Sequence, residues 1–445
     1  MTTSSTDILT DSTSPWKCNS PKQSGETEGQ DLLIQTAQAI ANAAAVTLQR
    51  AQSDASDLTN SAINSPFSGT EKSTRRAWGD MTDPSEVKHG KGTSTRHKKT
   101  WMLDEFKQAK GVGYTLEGIL GHLASFCVDQ AGSRFIQRQI PAASGSVIQK
   151  VFDEVAELIG PFMVDVFANY IVQLLLKHGS PEQRLHIAMK MKGHVVSLST
   201  HTYGCRVVQA AAEFLELSVS ELLIGELKHD ALRCAQDING NHVIQKCIQH
   251  MDHEKIPFII DALMDSALPM CTHPYGCRVL QKAIESPQES KLQARVVTLA
   301  LENFAEFSTD AYGNYVIQHV VRHAKTAEIR QKALGMVADR VLEMSKNKFA
   351  SNVVEVCITD GTPLERKLLI DAVLTPAKKT SGHPQTDILE DQYGNYVVQR
   401  MMEYAEKDDL ERIRSSMASA TSENEFGKHV ALRLNELTSV PAVGS

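Results

Sequence analysis

At 445 residues the chain exceeds what one hydrophobic core organises, so several domains or a repeat array are expected. Its 46 Lys and Arg stand against 53 Asp and Glu, a net charge of −7. Eleven residues of each sign fall within 1–100, which leaves 35 basic against 42 acidic residues beyond. That acidic balance excludes bulk electrostatic attraction as the basis of any nucleic-acid binding.

The N-terminus is polar and shows no signal peptide, and no apolar run reaches the length of a membrane span. Eight cysteines, at 18, 127, 205, 234, 247, 271, 277 and 357, include no Cys-x-x-Cys pair. Several lie in apolar helical pattern, so a reducing compartment without disulfides is expected. Residues 1–100 are rich in Ser, Thr, Gln, Ala and Asp with few aromatics, the composition of a disordered low-complexity tail. Within it, Asp31 to Gln52 is Ala-rich and free of Pro and Gly, a short helix that is transient or docks a partner. Lys88 to Lys99 holds five Lys or Arg and two His, a solvated linker with weaker readings as a nuclear-import patch or a set of phosphate contacts.

Order is expected from Trp101. Residues 101–112 have helical apolar spacing and read as a terminal cap, residues 113–407 as an array of repeats, and residues 408–445 as a C-terminal cap. The array is defined by a six-residue pattern: small, polar, flat or long, two apolar, then Gln or Glu. It occurs as Gly132–Gln137, Ala168–Gln173, Gly204–Gln209, Gly240–Gln245, Gly276–Gln281, Gly313–Gln318, Ala350–Glu355 and Gly394–Gln399. The spacing between copies is 36 residues four times, then 37 twice, then 44. A fixed period in this range means stacked supersecondary units. Repeat four shows the plan: a helix over Glu221–Lys228, a short second segment from Leu232, a turn at Asp237–Gly240 with Gly supplying unusual backbone angles, and a helix from Asn241 to about Gln249. The extra residues before repeat eight fall in Thr375–Pro384, an exposed loop by composition. Phe426–Val430 is a degraded ninth copy that lacks the closing Gln or Glu.

Numbered from the polar residue, positions one and five lie about 40° apart on a helix and position two about 100° from the first. These three share a face, while positions three and four, apolar in all eight copies, turn to the core. Positions one and five, one turn apart, can grip a planar group edge-on: Ser133 and Gln137, Asn169 and Gln173, Cys205 and Gln209, Asn241 and Gln245, Cys277 and Gln281, Asn314 and Gln318, Ser351 and Glu355, Asn395 and Gln399. Position two ends flat: Arg134, Tyr170, Arg206, His242, Arg278, Tyr315, Asn352, Tyr396. A ladder of flat groups between hydrogen-bonding pairs suits splayed single-stranded bases. Guanine presents two adjacent donors, so Glu355 fits it, whereas Gln matches adenine or uracil. Position one separates those two: Asn can add a donor to uracil O2, and the smaller Cys or Ser leaves room for a purine.

At these residues, from about Trp101 to the C-terminus, the chain resembles the Pumilio (PUF) family of RNA-binding proteins, whose repeats each read one base. The resemblance implies an all-α fold, a right-handed α-α superhelix or crescent solenoid of eight three-helix repeats with terminal caps, with RNA on the concave face. It also implies an antiparallel RNA, so that repeats eight to one read 5′-UGUAUAUA-3′; a parallel strand would give AUAUAUGU. It further implies a cytoplasmic, monomeric, non-enzymatic regulator that binds single-stranded mRNA in 3′ untranslated regions. Translational repression and decay would follow through a deadenylase complex or other repressor on the convex face and the Lys378–Pro384 region. An armadillo-type protein-binding solenoid or a ribosome-assembly relative are the alternatives; the first needs no base-matched triplets, the second eroded ones and a more basic surface. No phosphate loop, metal-ligand cluster or nucleophile elbow stands in the sequence, so no cofactor or metal is expected.

Overall fold

A computed structural model describes residues 101–375, 384–417 and 425–439. The expected tail with its Asp31–Gln52 helix and Lys88–Lys99 stretch, and residues 376–383 of the expected loop, lie outside the described residues. Among the described residues every regular element is a helix. The eight motifs open or lie within eight helices: α1 (Gln130–Gln139), α2 (Asn169–His178), α3 (Gly204–Phe214), α4 (Gly240–His250), α5 (Gly276–Glu285), α6 (Gly313–Arg322), α7 (Ala350–Thr359) and α8 (Gly394–Tyr404). A ninth, α9 (Glu425–Ser439), carries the degraded copy.

Each of these helices packs on the next, α1 on α2 through to α8 on α9, which builds one ladder. The cause is the apolar pair at positions three and four. All sixteen of these side chains are buried, from Phe135 and Ile136 in α1 to Val397 and Val398 in α8. The position-seven residues Leu175, Ala211, Cys247, Ala283, Val320, Cys357 and Met401 are buried beside them. Truncating one such side chain, for instance Ile244 to Ala, costs about 2–5 kcal/mol. A single apolar core runs from Leu103 to Val430. A short helix precedes each motif helix, as Val195–Thr200 precedes α3, and a longer one follows it, as Leu217–Ile224 does. Long helices of several neighbouring repeats also pack on one another, Pro181–Met191 on Leu217–Ile224, Pro257–Asp265 on Lys291–Glu302 and Ala327–Ala338 on Pro363–Leu374.

Repeat four follows the expected plan with shifted boundaries. Its first helix starts earlier, at Leu217, and ends in a 3-10 turn at Gly225–Leu227; Ala231–Gln236 is the short second helix. One expectation is corrected. Gly240 is not there for an unusual backbone angle, because positive φ occurs elsewhere, at Gly111, Gly113, Gly121 and Gly193. A Cβ on Gly240 would stand 2.7 Å from the carbonyl oxygen of Cys234 and 2.9 Å from its Cα. The residue is small because the short helix crosses directly over the start of α4. The angles that favour Gly are one turn of chain upstream, in the bends before the short helices, at Gly121 (φ 88°) and Gly193 (φ 79°).

At the first end, the helix Trp101–Gln108 buries Leu103 and Phe106. The Phe106 ring lies 5.1 Å from those of Phe126 and Phe135 and 5.2 Å from that of Tyr114, all edge-on. At the other end, Gly427 and Val430 of α9 are buried.

Candidate nucleic-acid interface

The motif helices are started by a device that the motif itself does not contain. Four residues before position one stands an acceptor in every repeat: Asp129, Asp165, His201, Asp237, His273, Asp310, Asn347 and Asp391. Each takes the backbone N–H groups two and three residues on, as Asp237 Oδ1 does from Asn239 and Gly240 at 2.8 Å. His201 and His273 do the same through Nδ1, at 3.0–3.2 Å. This satisfies donors that a helix start leaves unpaired. The fixed offset of four is visible in the sequence; what hid it was the mixture of Asp, Asn and His, which share only an acceptor atom. A ring nitrogen that accepts two N–H bonds must be unprotonated, and burial holds His201 below the ordinary imidazole range.

Position two stands where the helical geometry puts it. All eight of its residues are exposed, with Tyr170 and Tyr315 at 49% and Tyr396 at 59%. Position five is half-buried in seven repeats and buried in one, Gln318. Position one departs from expectation. It does not stand free on the shared face: Ser133, Asn169, Cys205, Asn241, Cys277, Asn314, Ser351 and Asn395 are all buried. The reason is hydrogen bonding at the helix start. Asn241 Nδ2 donates to the carbonyls of Asp237 (2.8 Å) and Ile238 (2.9 Å), and its Oδ1 accepts from Gln245 Nε2 (2.8 Å). Asn169 and Asn314 repeat this arrangement with their own turns and with Gln173 and Gln318. Asn395 donates to Asp391 O and accepts from Gln399 Nε2 at 3.0 Å.

The donor assigned to uracil O2 is therefore turned inward, and reaching a base requires Nδ2 to release a carbonyl. What Asn does for the face in this structure is to hold the closing Gln. With Nε2 tied to Asn, the Gln amides of repeats four, six and eight keep Oε1 and a second N–H for a ligand, one acceptor and one donor, whereas Gln173 Nε2 also donates to the Asn169 carbonyl at 3.3 Å. The Cys repeats hold Gln less firmly. Gln209 Nε2 donates to the Cys205 carbonyl at 3.1 Å, and the Gln281 side chain makes no hydrogen bond among the described residues. Both thiols point back into the turn, Cys205 Sγ to Thr202 O and Cys277 Sγ to Pro274 O. Burial raises the pKa of each, that of Cys277 to about 11, so both stay neutral and serve as small apolar groups. In repeat one Ser133 is small like Cys but holds its partner like Asn: Oγ accepts from Gln137 Nε2 at 2.9 Å and donates to Phe167 O of the next repeat. In repeat seven Ser351 bonds to Lys348 O, and the Glu355 carboxylate has no partner among the described residues. A half-buried carboxylate with both oxygens open is a ready acceptor for two adjacent donors.

Neighbouring plates sense each other. His242 lies between Arg206 and Arg278; burial first, then both guanidinium charges, lower its pKa and keep the ring neutral at pH 7. The face is also concave between rungs. A cavity of ≈ 380 Å³ is lined by Gln137, Tyr170, Gln173, Arg206, Gln209 and Lys246 among others, so plates and closing residues of successive repeats border one space.

These repeats define a class of protein. The Pumilio-family RNA binding repeat matches at residues 122–156, 159–191, 194–227, 231–264, 266–293, 303–332, 340–374 and 390–415, one match for each motif, and the chain belongs to that family. Its fold is the all-α solenoid that the motif resemblance implies. The chain is similar to Pumilio homolog 1 of Xenopus laevis, with 37% identity over 196 residues, 44% of this chain and 16% of that protein. It is similar to Pumilio homolog 12 of Arabidopsis thaliana, with 26% identity over 387 residues, 82% of this chain and 63% of that protein. It thus spans less than two thirds of the length of either. Among solved structures, the Puf3 RNA binding domain bound to a Cox17 RNA 3′ UTR recognition sequence matches with TM-score 0.66 and 32% identity, over 74% of this chain and 99% of that one.

Proposed function

We propose that the ladder face binds single-stranded RNA sequence-specifically, one base per repeat. The observation that carries this is the repetition of one arrangement along α1–α8: an exposed flat side chain beside a closing amide or carboxylate whose outward atoms are free. Stacking and edge hydrogen bonds need no net positive charge, which suits an acidic chain; only three of the eight plates, Arg134, Arg206 and Arg278, are cationic. The solved Puf3 domain with its bound 3′ UTR RNA supports the same reading by similarity. With an antiparallel strand the site is 5′-UGUAUAUA-3′. Repeat eight takes the first U through Asn395, Tyr396 and Gln399, and repeat seven takes G through Ser351, Asn352 and Glu355. Repeats six to one take U, A, U, A, U and A.

In the cell this makes the protein a cytoplasmic, monomeric, non-enzymatic regulator that binds mRNA 3′ untranslated regions and represses translation and stability by recruiting a deadenylase complex or other repressor. Selection from a random RNA pool with the full chain tests the site: enrichment of UGUA followed by an A/U-rich half is expected. A pool that returns no enriched motif, or AUAUAUGU, overturns the specificity or the polarity.

A further inference from the structure

Glu285 at the end of α5, His319 on α6 and His323, the residue that caps the end of α6, bring three potential ligand atoms within 4.8 Å of one another. None of the three is among the base-facing residues. The hydrogen bonding around His319 is unusual. Its Nδ1 lies 2.9 Å from the carbonyl oxygen of Tyr315, which can only accept, so Nδ1 carries a proton. A neutral ring then presents a bare lone pair at Nε2, and Nε2 faces Glu285 Oε1 at 2.9 Å. Two acceptors meet, and a positive centre belongs there. A second ring proton would answer for this pair alone. The third group is one helical turn further on: the His323 ring stacks beside that of His319, centroids 5.6 Å apart and 30° between planes.

We propose that Glu285, His319 and His323 form a binding site for a divalent transition cation of the zinc type. Two imidazoles and one carboxylate are a common zinc donor set, and three protein ligands leave a fourth position for water. The Tyr315 carbonyl supplies the outer contact that fixes the tautomer and orientation of a ligating imidazole. Lys282 Nζ holds the other carboxylate oxygen at 2.6 Å, so Glu285 ligates through Oε1 alone, and the nearby ammonium weakens the site relative to an unopposed one. The inference does not depend on the RNA reading.

The test uses the full chain, stripped with a chelator and titrated with Co²⁺ while visible absorption is recorded, followed by displacement with Zn²⁺. One equivalent should bind with the d–d bands of a low-coordinate nitrogen and oxygen site, without thiolate charge-transfer bands, and Zn²⁺ should bleach them. His323 is exposed, so His323→Ala should keep the wild-type circular dichroism and weaken Co²⁺ binding by at least ~10-fold; Glu285→Gln should act in the same direction. Variants that bind as wild type, or thiolate bands in the wild type, would place the metal elsewhere. Absence of bands with Co²⁺ in large excess would show that a proton alone occupies the His319–Glu285 contact. Each of these outcomes overturns the proposal.

Discussion

Replacing Asn314 by Cys turns the grip of repeat six into that of repeats three and five, and separates the two roles of a position-one residue. Asn314 makes three short hydrogen bonds: Nδ2 to Asp310 O (2.8 Å) and to Ala311 O (3.0 Å), and Oδ1 from Gln318 Nε2 (2.8 Å). At about 1 kcal/mol each these sum to about 3 kcal/mol. A thiol recovers a weak bond to the turn, as Cys205 does, so the expected loss is about 2 kcal/mol. In a stacked array the loss is felt mainly in the altered repeat and its neighbours. Native-state hydrogen exchange should therefore show α6 and the preceding turn opening about 30-fold more often, with α1 and α2 unchanged. Competition with RNAs that vary at the third base should show preference moving from uracil toward adenine. Exchange in α6 as slow as in the wild type would mean that the buried Asn bonds are not formed in solution. A large exchange effect with unchanged base preference would show that position one supports the helix start without taking part in selection.

The double change Ser351→Asn with Glu355→Gln should move the second base from guanine to uracil by about 1–3 kcal/mol, read from competition binding; persistence of guanine would refute the carboxylate pairing. Tyr315→Ala should weaken binding by about 1–3 kcal/mol whatever the base opposite, and an effect confined to one base would contradict a stacking role. Gly240→Ala should destabilise the chain by about 1–3 kcal/mol in denaturant, because its Cβ meets Cys234 backbone, whereas Gly335→Ala, where a Cβ meets open space, should not; equal effects would refute the close-approach argument. The lowered pKa of His201 sets a direction with pH. The unfolded chain binds this proton more readily, so the contribution is intact above the ordinary imidazole pKa of about 6.5 and is lost as pH falls below it. Amide exchange at Tyr203 and Gly204 should rise over that range in the wild type; His201→Asn, which keeps an acceptor and cannot titrate, should flatten the dependence, and an unchanged profile would refute it.

Much of this protein was legible in its residues because a repeat states its rule eight times over. Period, helical class, the buried pair at positions three and four and the exposed plates at position two all follow from which residue types recur at which spacing, and local helix geometry suffices to place them. The burial of position one was not legible. At 0° it shares a face with position five on an isolated helix, yet the preceding turn folds its carbonyls over the helix start and takes the Asn amide as a donor. The role of Gly240 was hidden for the same reason: the atom it avoids belongs to Cys234, on another helix. Nor could spacing show that Glu285, from one repeat, meets His319 from the next. A sequence pattern reports what each segment does by itself and how often; which side chains are consumed by a neighbouring turn, and which meet across rungs, depends on packing that exists only once the repeats are stacked.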